Sequence, residues 1–440
     1  MEQKKQNGFS SKVGLILAAA GSAVGLGNIW KFPYVAGENG GGAFLIVYLI
    51  CVLLFGLPLL MSEFIIGKTS QKPTISAFST ISGSKGWLWL GGWCVLAVTL
   101  MMGFYFVVTG WCFNYLFESV TNSFATMDTA GFSAHFDAIS SSKPRMLLCG
   151  LIPVLLTGTV LWFDVNKGIE RLSKILMPML LLIMFLMAVR VLMLEGSSAG
   201  MRFLFRFEWS QITPEMIMKA AGQCFFSLSL GLGLLITYGA YMPSVQDITS
   251  TSLQIVVLDT LVAVLAGIII FPAVFAFGFN PAEGPELVFE VLPAVLQKMS
   301  LSWLSSVLFF TLLCIAALTS TISLMEVVVA SICEVSGGRL NRHQSVLITG
   351  GIVSVLMALC IFFPQVFTWT DILETTILLP VGALGVSLFV GWFMPMKNKD
   401  LVPRSDKRWK TLMRPFLVFA LRWIVPAAII LIFLNGQGVF

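Results

Sequence analysis

Long apolar stretches alternate with short polar segments along almost the whole chain. A membrane-spanning helix needs roughly 20 consecutive apolar residues, and a window of that length finds eleven candidates. They lie near residues 12–37, 42–67, 87–117, 146–163, 168–194, 216–242, 251–279, 302–333, 344–363, 368–395 and 413–434. The pattern predicts an all-α polytopic membrane protein with eleven transmembrane helices.

The composition agrees with a membrane location. The 440 residues are 57% apolar and only 11% charged, whereas soluble domains carry about 25% charged residues. A folded monomer with so little polar surface would not stay in water, which excludes an ordinary cytosolic enzyme. The eight cysteines form no CxxC pair, and there are only two histidines, so histidine-based metal or triad chemistry is not expected. No small-residue cleavage site follows the polar N-terminus, so we expect no removable signal peptide.

The positions of the basic residues predict the orientation. With the N-terminus in the cytoplasm, most of the 27 lysines and arginines fall at cytoplasmic ends and loops, as the positive-inside rule requires. Eleven spans then place the C-terminus outside the cell membrane. Residues 397–412 are a predicted cytoplasmic basic linker to the last span, 413–434. The amphipathic segment 281–299 is predicted to cap the outer face.

Two spans carry glycine-rich and polar interruptions at mid-membrane depth. Both contain Gly-Leu-Gly, at 25–27 and 231–233, beside serine or asparagine. Glycine weakens a helix by about 1 kcal/mol relative to alanine, and irregular backbone is tolerated in a membrane only where it is buried or lines a cavity. Close helix packing is the alternative, because Gly21 and Gly25 form a GxxxG pattern. The matched interruptions favour a secondary transporter with broken helices 1 and 6 in two inverted five-helix repeats, residues 8–195 and 215–396.

The fifth span contains a further interruption. Pro178 follows Gly168 by ten residues. Proline lacks an N–H and clashes with the carbonyl four residues earlier, here that of Lys174. An ordinary kink and a hinge that unwinds to admit water from the cytoplasm both agree with this spacing.

Three stretches of the sequence resemble the neurotransmitter:sodium symporter family. They are GSAVGLGNIWKFPYVAGENGGGAF with the following Gly-Leu-Pro and Glu63, GQCFFSLSLGLG with TYGAYM, and AALTSTISLME. They are similar to the family's first two helices, its sixth helix and its eighth helix, and the resemblance covers about residues 8–395. It implies a sodium-coupled importer that works by alternating access, in which spans 1, 2, 6 and 7 rock against spans 3, 4, 8 and 9.

The resemblance also implies a set of binding residues. A first sodium site consists of Ala23, Asn28, Ser227 and Asp259, and a second of Gly21, Val24, Ala316, Thr319 and Ser320. The implied substrate-binding residues are Ala23, Leu26, Gly27, Met101, Tyr105, Val108, Phe226, Ser227, Ser229, Leu232, Thr321 and Leu324. The chemistry is suitable, because sodium is a hard cation that prefers oxygen ligands and the amides that open a half-helix favour a carboxylate. For the hydroxyls of 319–321, bonding back to helix carbonyls is the alternative.

The implied outer gate departs from the family pattern. Lys31 stands where the family has an arginine. Its pair with Asp371 would therefore lack the bidentate geometry of a guanidinium. Glu374 is a second candidate for the partner.

The implied inner gate matches the family in Tyr241, Glu326 and Glu334. The family's arginine and tryptophan near the N-terminus are replaced by Gln6 and Phe9. Lys4 and Lys5 are the alternative cations for Glu334.

Two residues indicate the substrate class and the co-ions. Relatives that carry amines have an aspartate where this chain has Gly25, so here the carboxylate of an amino acid can reach sodium directly. With an apolar set of pocket candidates, this predicts hydrophobic L-amino acids, aliphatic and aromatic. Asp259 stands where a bacterial relative has a neutral asparagine, and Tyr48 and Ser227 are expected near it. A fixed charge there would make chloride unnecessary; the alternative is a protonated aspartate satisfied by hydroxyls.

Two other classes of function fit the sequence less well. A channel would need rings of identical pore residues or gating charges, and no charged helix is repeated. An intramembrane enzyme would need a catalytic cluster, but the carboxyl groups of Glu63, Asp259, Glu326 and Asp371 are scattered over four predicted helices. We therefore predict a transporter whose partners are hydrophobic L-amino acids, two sodium ions and membrane lipid, with no nucleic acid.

Overall fold

The computed structural model describes residues 8–127, 131–243, 246–282, 287–394 and 408–436. Within these ranges the secondary structure is helical, without a strand. The α-helices are α1 (Lys12–Ala23), α2 (Phe32–Glu38), α3 (Gly42–Cys51), α4 (Leu57–Ser70), α5 (Thr74–Ser82), α6 (Leu88–Val120), α7 (Gly131–Ser141), α8 (Lys143–Trp162), α9 (Arg171–Leu192), α10 (Ser197–Phe205), α11 (Pro214–Ser227), α12 (Leu234–Ala240), α13 (Ile248–Ala276), α14 (Val291–Lys298), α15 (Ser302–Val335), α16 (Arg342–Phe362), α17 (Pro364–Leu373), α18 (Leu379–Leu388), α19 (Arg408–Phe419) and α20 (Val425–Gly436).

Several of these helices join through π-helical turns into longer rods. The turns are Gly27–Lys31, Val52–Gly56, Asn166–Glu170, Glu374–Leu378, Phe389–Phe393 and Ala420–Ile424. Nine rods in the described ranges are long and apolar enough to cross a membrane, and a bent pair of helices at the start of the chain makes up to ten. They are Gly42–Ser70, Lys85–Val120, Lys143–Trp162, Lys167–Leu192, Ile248–Ala276, Ser302–Val335, Arg342–Phe362, Pro364–Phe393 and Arg414–Leu434.

The sequence predicts eleven spans, but the described ranges contain only nine or ten such rods. The missing one is the predicted span 216–242. It falls on α11 and α12, which have 14 and 7 residues, so neither reaches the length that a bilayer requires. The discrepancy arises from the break itself, because a hydropathy window reads through a non-helical segment as if it were helix.

Both predicted breaks are present. The first rod bends by 46° between α1 and the helical segment that begins at Gly27, and the backbone of Val24 is extended. Between α11 and α12 the residues Ser229, Gly231 and Gly233 have φ of 53°, 83° and 75°. A Cβ on Gly231 would lie 2.5 Å from the Leu379 carbonyl oxygen, so a glycine is required there by both its φ and the close approach of α18.

The breaks lie inside the bundle. The two longest helices, α6 and α15, pack along each other, α12 packs on α4, and α1 contacts α9, α13 and α15. One continuous apolar core surrounds these elements. Irregular backbone in the breaks is therefore shielded from lipid, which is the condition under which a membrane protein tolerates it.

Three other predicted features have different outcomes. The fifth rod stays helical from Asn166 to Leu192 and includes Pro178 within α9. The predicted outer cap 281–299 contains α14, although residues 283–286 lie outside the described ranges. Of the predicted linker 397–412, only the backbone from Arg408 onward is described, as the start of α19.

Candidate functional site

The two breaks face each other in the middle of the bundle. The Gln223 side-chain amide donates a 2.8 Å hydrogen bond to the carbonyl of Gly27. A Cβ on Gly27 would lie 3.1 Å from the Phe226 ring, so the glycine allows this ring to pack on the backbone. Ser229 Oγ lies 3.5 Å from the Ser22 carbonyl. Residues of both broken helices therefore share one site.

A buried carboxylate lies beside these breaks. Asp259, on α13, has an exposed fraction of 0%. Its carboxylate accepts hydrogen bonds from Asn28 Nδ2 at 2.8 Å, Ser227 Oγ at 3.0 and 3.1 Å, and Tyr48 OH at 3.4 Å. Asn28 Nδ2 also donates to the Asp259 carbonyl at 3.0 Å. Four of the side chains named from the sequence therefore form one cluster.

Every donor in this cluster is neutral. No lysine, arginine or histidine of the described chain lies within 4.0 Å of Asp259. Burying a carboxylate without a positive partner costs free energy. A cation bound in this cluster would compensate the charge. The amide, hydroxyl and carboxylate oxygens of the cluster are ligands for a hard cation. The described residues contain no group of histidine, cysteine and acidic side chains of the kind that holds a transition metal.

A second polar set joins α1 to α15. Ser320 Oγ donates to the Ser22 carbonyl at 3.4 Å. A Cβ on Gly21 would lie 3.4 Å from Thr319 Cβ, which places two of the five implied ligands of the second sodium site next to each other. Thr319 Oγ1 bonds back to the carbonyls of Ile315 and Ala316 at 3.1 and 3.0 Å. Thr319 therefore bonds back to its own helix and also lies next to α1.

The backbone at Gly25 is closely enclosed. A Cβ on Gly25 would lie 2.2 Å from Ser320 Oγ and 2.9 Å from Tyr105 OH. The amide of Leu26 donates to Tyr105 OH at 3.3 Å. No acidic side chain can be added at position 25 without displacing these hydroxyls, while the amide and the tyrosine hydroxyl together can hold a carboxylate.

The remaining substrate-binding candidates are apolar, except for Thr321, whose hydroxyl bonds to residues outside the two breaks. Met101, Val108, Leu232 and Leu324 are all buried. Thr321 is buried as well, but its hydroxyl bonds to the Leu318 carbonyl at 2.9 Å and to Thr157 of α8 at 2.9 Å. The structure therefore does not bring the Thr321 hydroxyl together with the breaks.

At the outer end of the site, Lys31 covers an aromatic ring. Its Nζ lies 4.1 Å from the centroid of Phe226. No carboxylate of the described chain lies within 4.0 Å of this nitrogen, so the expected ion pair with Asp371 is not formed in this structure. Asp371 and Glu374 act on Lys31 only through longer-range attraction. Glu374 is fully buried, and neither of its carboxylate oxygens has a hydrogen-bond partner among the described residues.

At the inner end, where α1 starts, the gate residues are firmly bonded. Tyr241 OH donates to Glu326 Oε1 at 2.8 Å. Arg342, the first residue of α16, holds both oxygens of Glu326 at 3.0 and 2.7 Å. Glu334 pairs with Lys72 at 3.3 Å, while Lys4 and Lys5 lie outside the described residues. Arg342 and Lys72 were not predicted as the cations that bind Glu326 and Glu334. An acidic residue deep in span eight was the signal that a cation from another element was needed.

A third inner carboxylate, Glu170, was not predicted from the sequence. Glu170 is fully buried and accepts bonds from Ser10 N at 2.6 Å, Ser10 Oγ at 2.8 Å, Ser11 Oγ at 2.8 Å and Lys174 Nζ at 2.6 Å. A Cβ on Gly14 would lie 2.2 Å from Glu170 Oε1. Glu170 lies between the proposed hinge residues Gly168 and Pro178. It therefore ties the start of α1 to the segment that was predicted to unwind.

Comparison with known proteins decides the family. The model of the sodium:neurotransmitter symporter family matches residues 6–131 and 132–437. The chain belongs to this family. It is a multi-pass membrane transporter and not an enzyme, because its relatives are sodium-dependent transporters.

Three relatives illustrate the similarity of this symporter. It is 38% identical to the "Uncharacterized sodium-dependent transporter YhdH" of Bacillus subtilis (strain 168), over 100% of this chain and 99% of the relative. An uncharacterized sodium-dependent transporter of Haemophilus influenzae is 31% identical, over 98% of each chain. The crystal structure of MhsT in complex with L-phenylalanine superposes with a TM-score of 0.89 at 36% identity, covering 98% of this chain and 99% of that one.

Proposed function

We propose that this symporter imports hydrophobic L-amino acids, both aliphatic and aromatic, together with sodium ions. The observation that carries the proposal is the enclosure of Gly25 by Ser320 and Tyr105. It leaves no room for an acid that would pair with an amine, and it places the Leu26 amide and Tyr105 OH where a substrate carboxylate can bind. The buried candidates Met101, Val108 and Leu324 supply an apolar surface. The complex of MhsT with L-phenylalanine supports the same substrate class.

We propose that two sodium ions accompany the substrate. The cluster of Asn28, Ser227 and Asp259, with the Ala23 carbonyl, would hold one ion, whose charge compensates the buried carboxylate. Gly21, Val24 and Ala316 carbonyls with Thr319 and Ser320 would hold the other. A tenfold sodium gradient and 100 mV together supply roughly 7 kcal/mol for two ions. This is enough to concentrate a zwitterion by about five decades.

The proposed mechanism is alternating access about the two breaks. Each of the repeats 8–195 and 215–396 would contribute two spans to the moving part, with Lys31 and Phe226 closing the outer path and Glu326 closing the inner one. Spans 1, 2, 6 and 7 would rock on spans 3, 4, 8 and 9. The N-terminus would lie in the cytoplasm and the C-terminus outside. The inward sodium gradient and the membrane potential would drive sodium and substrate into the cell together.

The test is uptake by proteoliposomes that contain the full chain. We expect saturable uptake of labelled L-phenylalanine and L-leucine driven by an inward sodium gradient and abolished when choline replaces sodium. Arginine, glutamate and phenethylamine serve as matched controls for charge and for the missing carboxylate. Tight competition by any of these three would refute the substrate class, and ion flux without substrate would indicate a channel.

We further propose that chloride is not required, because Asp259 provides the negative charge beside sodium. Replacing chloride by gluconate at constant sodium should leave wild-type uptake unchanged; a loss of uptake would disprove the assignment.

Asp259→Asn should raise the half-saturating sodium concentration about tenfold. A charge pair at 4 Å is worth about 4 kcal/mol at an effective dielectric of 20, and desolvation offsets part of this energy. Added chloride should restore part of the loss in this variant only.

A further inference from the structure

A groove runs along the last rod of the bundle. It has a volume of about 370 Å³ and is lined by Arg414, Pro415, Val418, Phe419, Arg422 and Trp423. Phe419 and Trp423 have exposed fractions of 56% and 57%. On a membrane-spanning rod, such exposed apolar side chains face lipid. The groove is therefore open to the bilayer and carries two cationic side chains.

Arg422 uses only part of its hydrogen-bonding capacity. Its Nε donates to the Gly391 carbonyl at 2.7 Å, and its guanidinium carbon lies 5.6 Å from the centroid of the Trp392 ring. A guanidinium has five N–H donors, and the two terminal amino groups of Arg422 make no hydrogen bond to the described chain. Four donors thus have no acceptor among the described residues.

The neighbours of Arg422 indicate its depth in the membrane. Gly391 and Trp392 belong to the π-helical turn Phe389–Phe393 that ends the preceding rod. The rings of Trp392 and Trp423 are 5.3 Å apart, and tryptophan is enriched at the level of the lipid headgroups. Arg422 therefore lies level with the end of the preceding rod, and its long side chain can extend from there to the lipid phosphates at the interface.

We propose that this groove binds an anionic phospholipid, whose phosphate is held by the guanidinium of Arg422. A guanidinium offers paired N–H donors that match two phosphate oxygens. The apolar side chains of Val418, Phe419 and Trp423 line the same groove and then contact the apolar part of the lipid. The bound lipid fixes the last rod against the end of the preceding one, because Arg422 contacts both the phosphate and Gly391.

The test is native mass spectrometry of the full chain in detergent with added phosphatidylglycerol. We expect the wild type to retain one phosphatidylglycerol that phosphatidylcholine does not replace, and Arg422→Gln to bind it about fivefold more weakly. Arg422→Lys should bind with intermediate strength. Arg339→Gln, which removes an exposed cation from the turn after α15, is the matched control and should bind as the wild type does.

Three results would overturn the proposal. Equal retention by wild type and Arg422→Gln would show that the groove is not the binding site. Equal retention of phosphatidylcholine would remove the preference for an anionic lipid, and displacement by glycerol phosphate at the same concentration would indicate a soluble anion instead. Sodium-dependent binding of L-phenylalanine, measured in the same sample of Arg422→Gln, shows that the variant is folded.

Discussion

The inner and outer gates of this symporter hold their carboxylates in opposite ways. At the inner gate, Glu326 meets the fork of Arg342 and the Tyr241 hydroxyl. At the outer gate, Glu374 is equally buried but has no hydrogen-bond partner among the described residues, and Lys31 rests on the Phe226 ring. The inner gate is thus closed by charged bonds and the outer gate by a ring contact.

The difference in bonding implies a difference in the work needed to open each side. Removing one partner from a buried ion pair costs about 3–5 kcal/mol. A cation over an aromatic ring contributes about 0.5–1 kcal/mol when exposed and about 2 when desolvated. Opening the outer side therefore breaks weaker contacts than opening the inner side. Sodium and substrate, which bind between the two gates, can alter this balance only by contacting one arrangement better than the other.

The largest expected effect comes from removing the inner cation. Arg342→Gln leaves Glu326 buried with only Tyr241, which should destabilise the inwardly closed state by about 3–5 kcal/mol. Labelling of a cysteine placed in the inner path should increase strongly, and transport should fall. Lys72→Gln is the matched control, because Lys72 is 43% exposed and pairs with Glu334 at the surface, where such pairs contribute at most about 1 kcal/mol. Equal effects of the two variants would show that the Arg342–Glu326 pair holds the inner gate no more firmly than the exposed Lys72–Glu334 pair does.

The hinge should give the next largest effect. Alanine is about 3 kcal/mol better than proline inside a helix, so Pro178→Ala should make the start of the fifth rod harder to unwind. If half of that difference adds to the activation free energy of transport, uptake slows about tenfold. Equilibrium binding of L-phenylalanine should change little, because Pro178 is not among the residues of the two breaks. Unchanged uptake would show that Pro178 is an ordinary kink.

Glu170 connects this hinge to α1 and should have a smaller effect. Glu170→Gln keeps the shape but weakens the bonds from Lys174, Ser10 and Ser11, and a bond to a charged group is worth about 1.5–3 kcal/mol. Hydrogen exchange at the first turn of α1 should accelerate in the variant, while exchange in α12 should stay the same. Lys174→Gln removes the cation that bonds to Glu170 in the described part of the chain and should shift exchange in the same direction by less. Uniform acceleration along the chain would indicate general destabilisation instead of a local tie.

The sequence predicted the breaks but not the bonds that close the gates. Gly231 could be recognised because a glycine pair with polar neighbours is a local signal that the fold preserves. Tyr241 was expected beside Glu326, but the cation of Glu326 and the partners of Glu170 could not be recognised. Arg342 and Ser10 reach these carboxylates only after the helices pack, and Ser10 is 160 residues distant from Glu170 in the chain. The same limit affected Thr321. Its place in the eighth span was evident, but the side of α15 that faces α8 depends on packing.

The smallest expected effect belongs to Lys31, and it measures directly how firmly the outer gate is held. Lys31→Gln removes the cation over Phe226, so the outer gate should lose about 0.5–2 kcal/mol and sodium-dependent dissociation of L-phenylalanine should accelerate by between about twofold and thirtyfold. Lys31→Arg keeps the ring contact and adds a planar fork that can bind a carboxylate with two hydrogen bonds. If the outer gate is weak only because lysine cannot reach Asp371 in this geometry, the arginine variant should slow dissociation below the wild-type rate. Dissociation that is unchanged in both variants would mean that Phe226 closes the outer path without help from the charge.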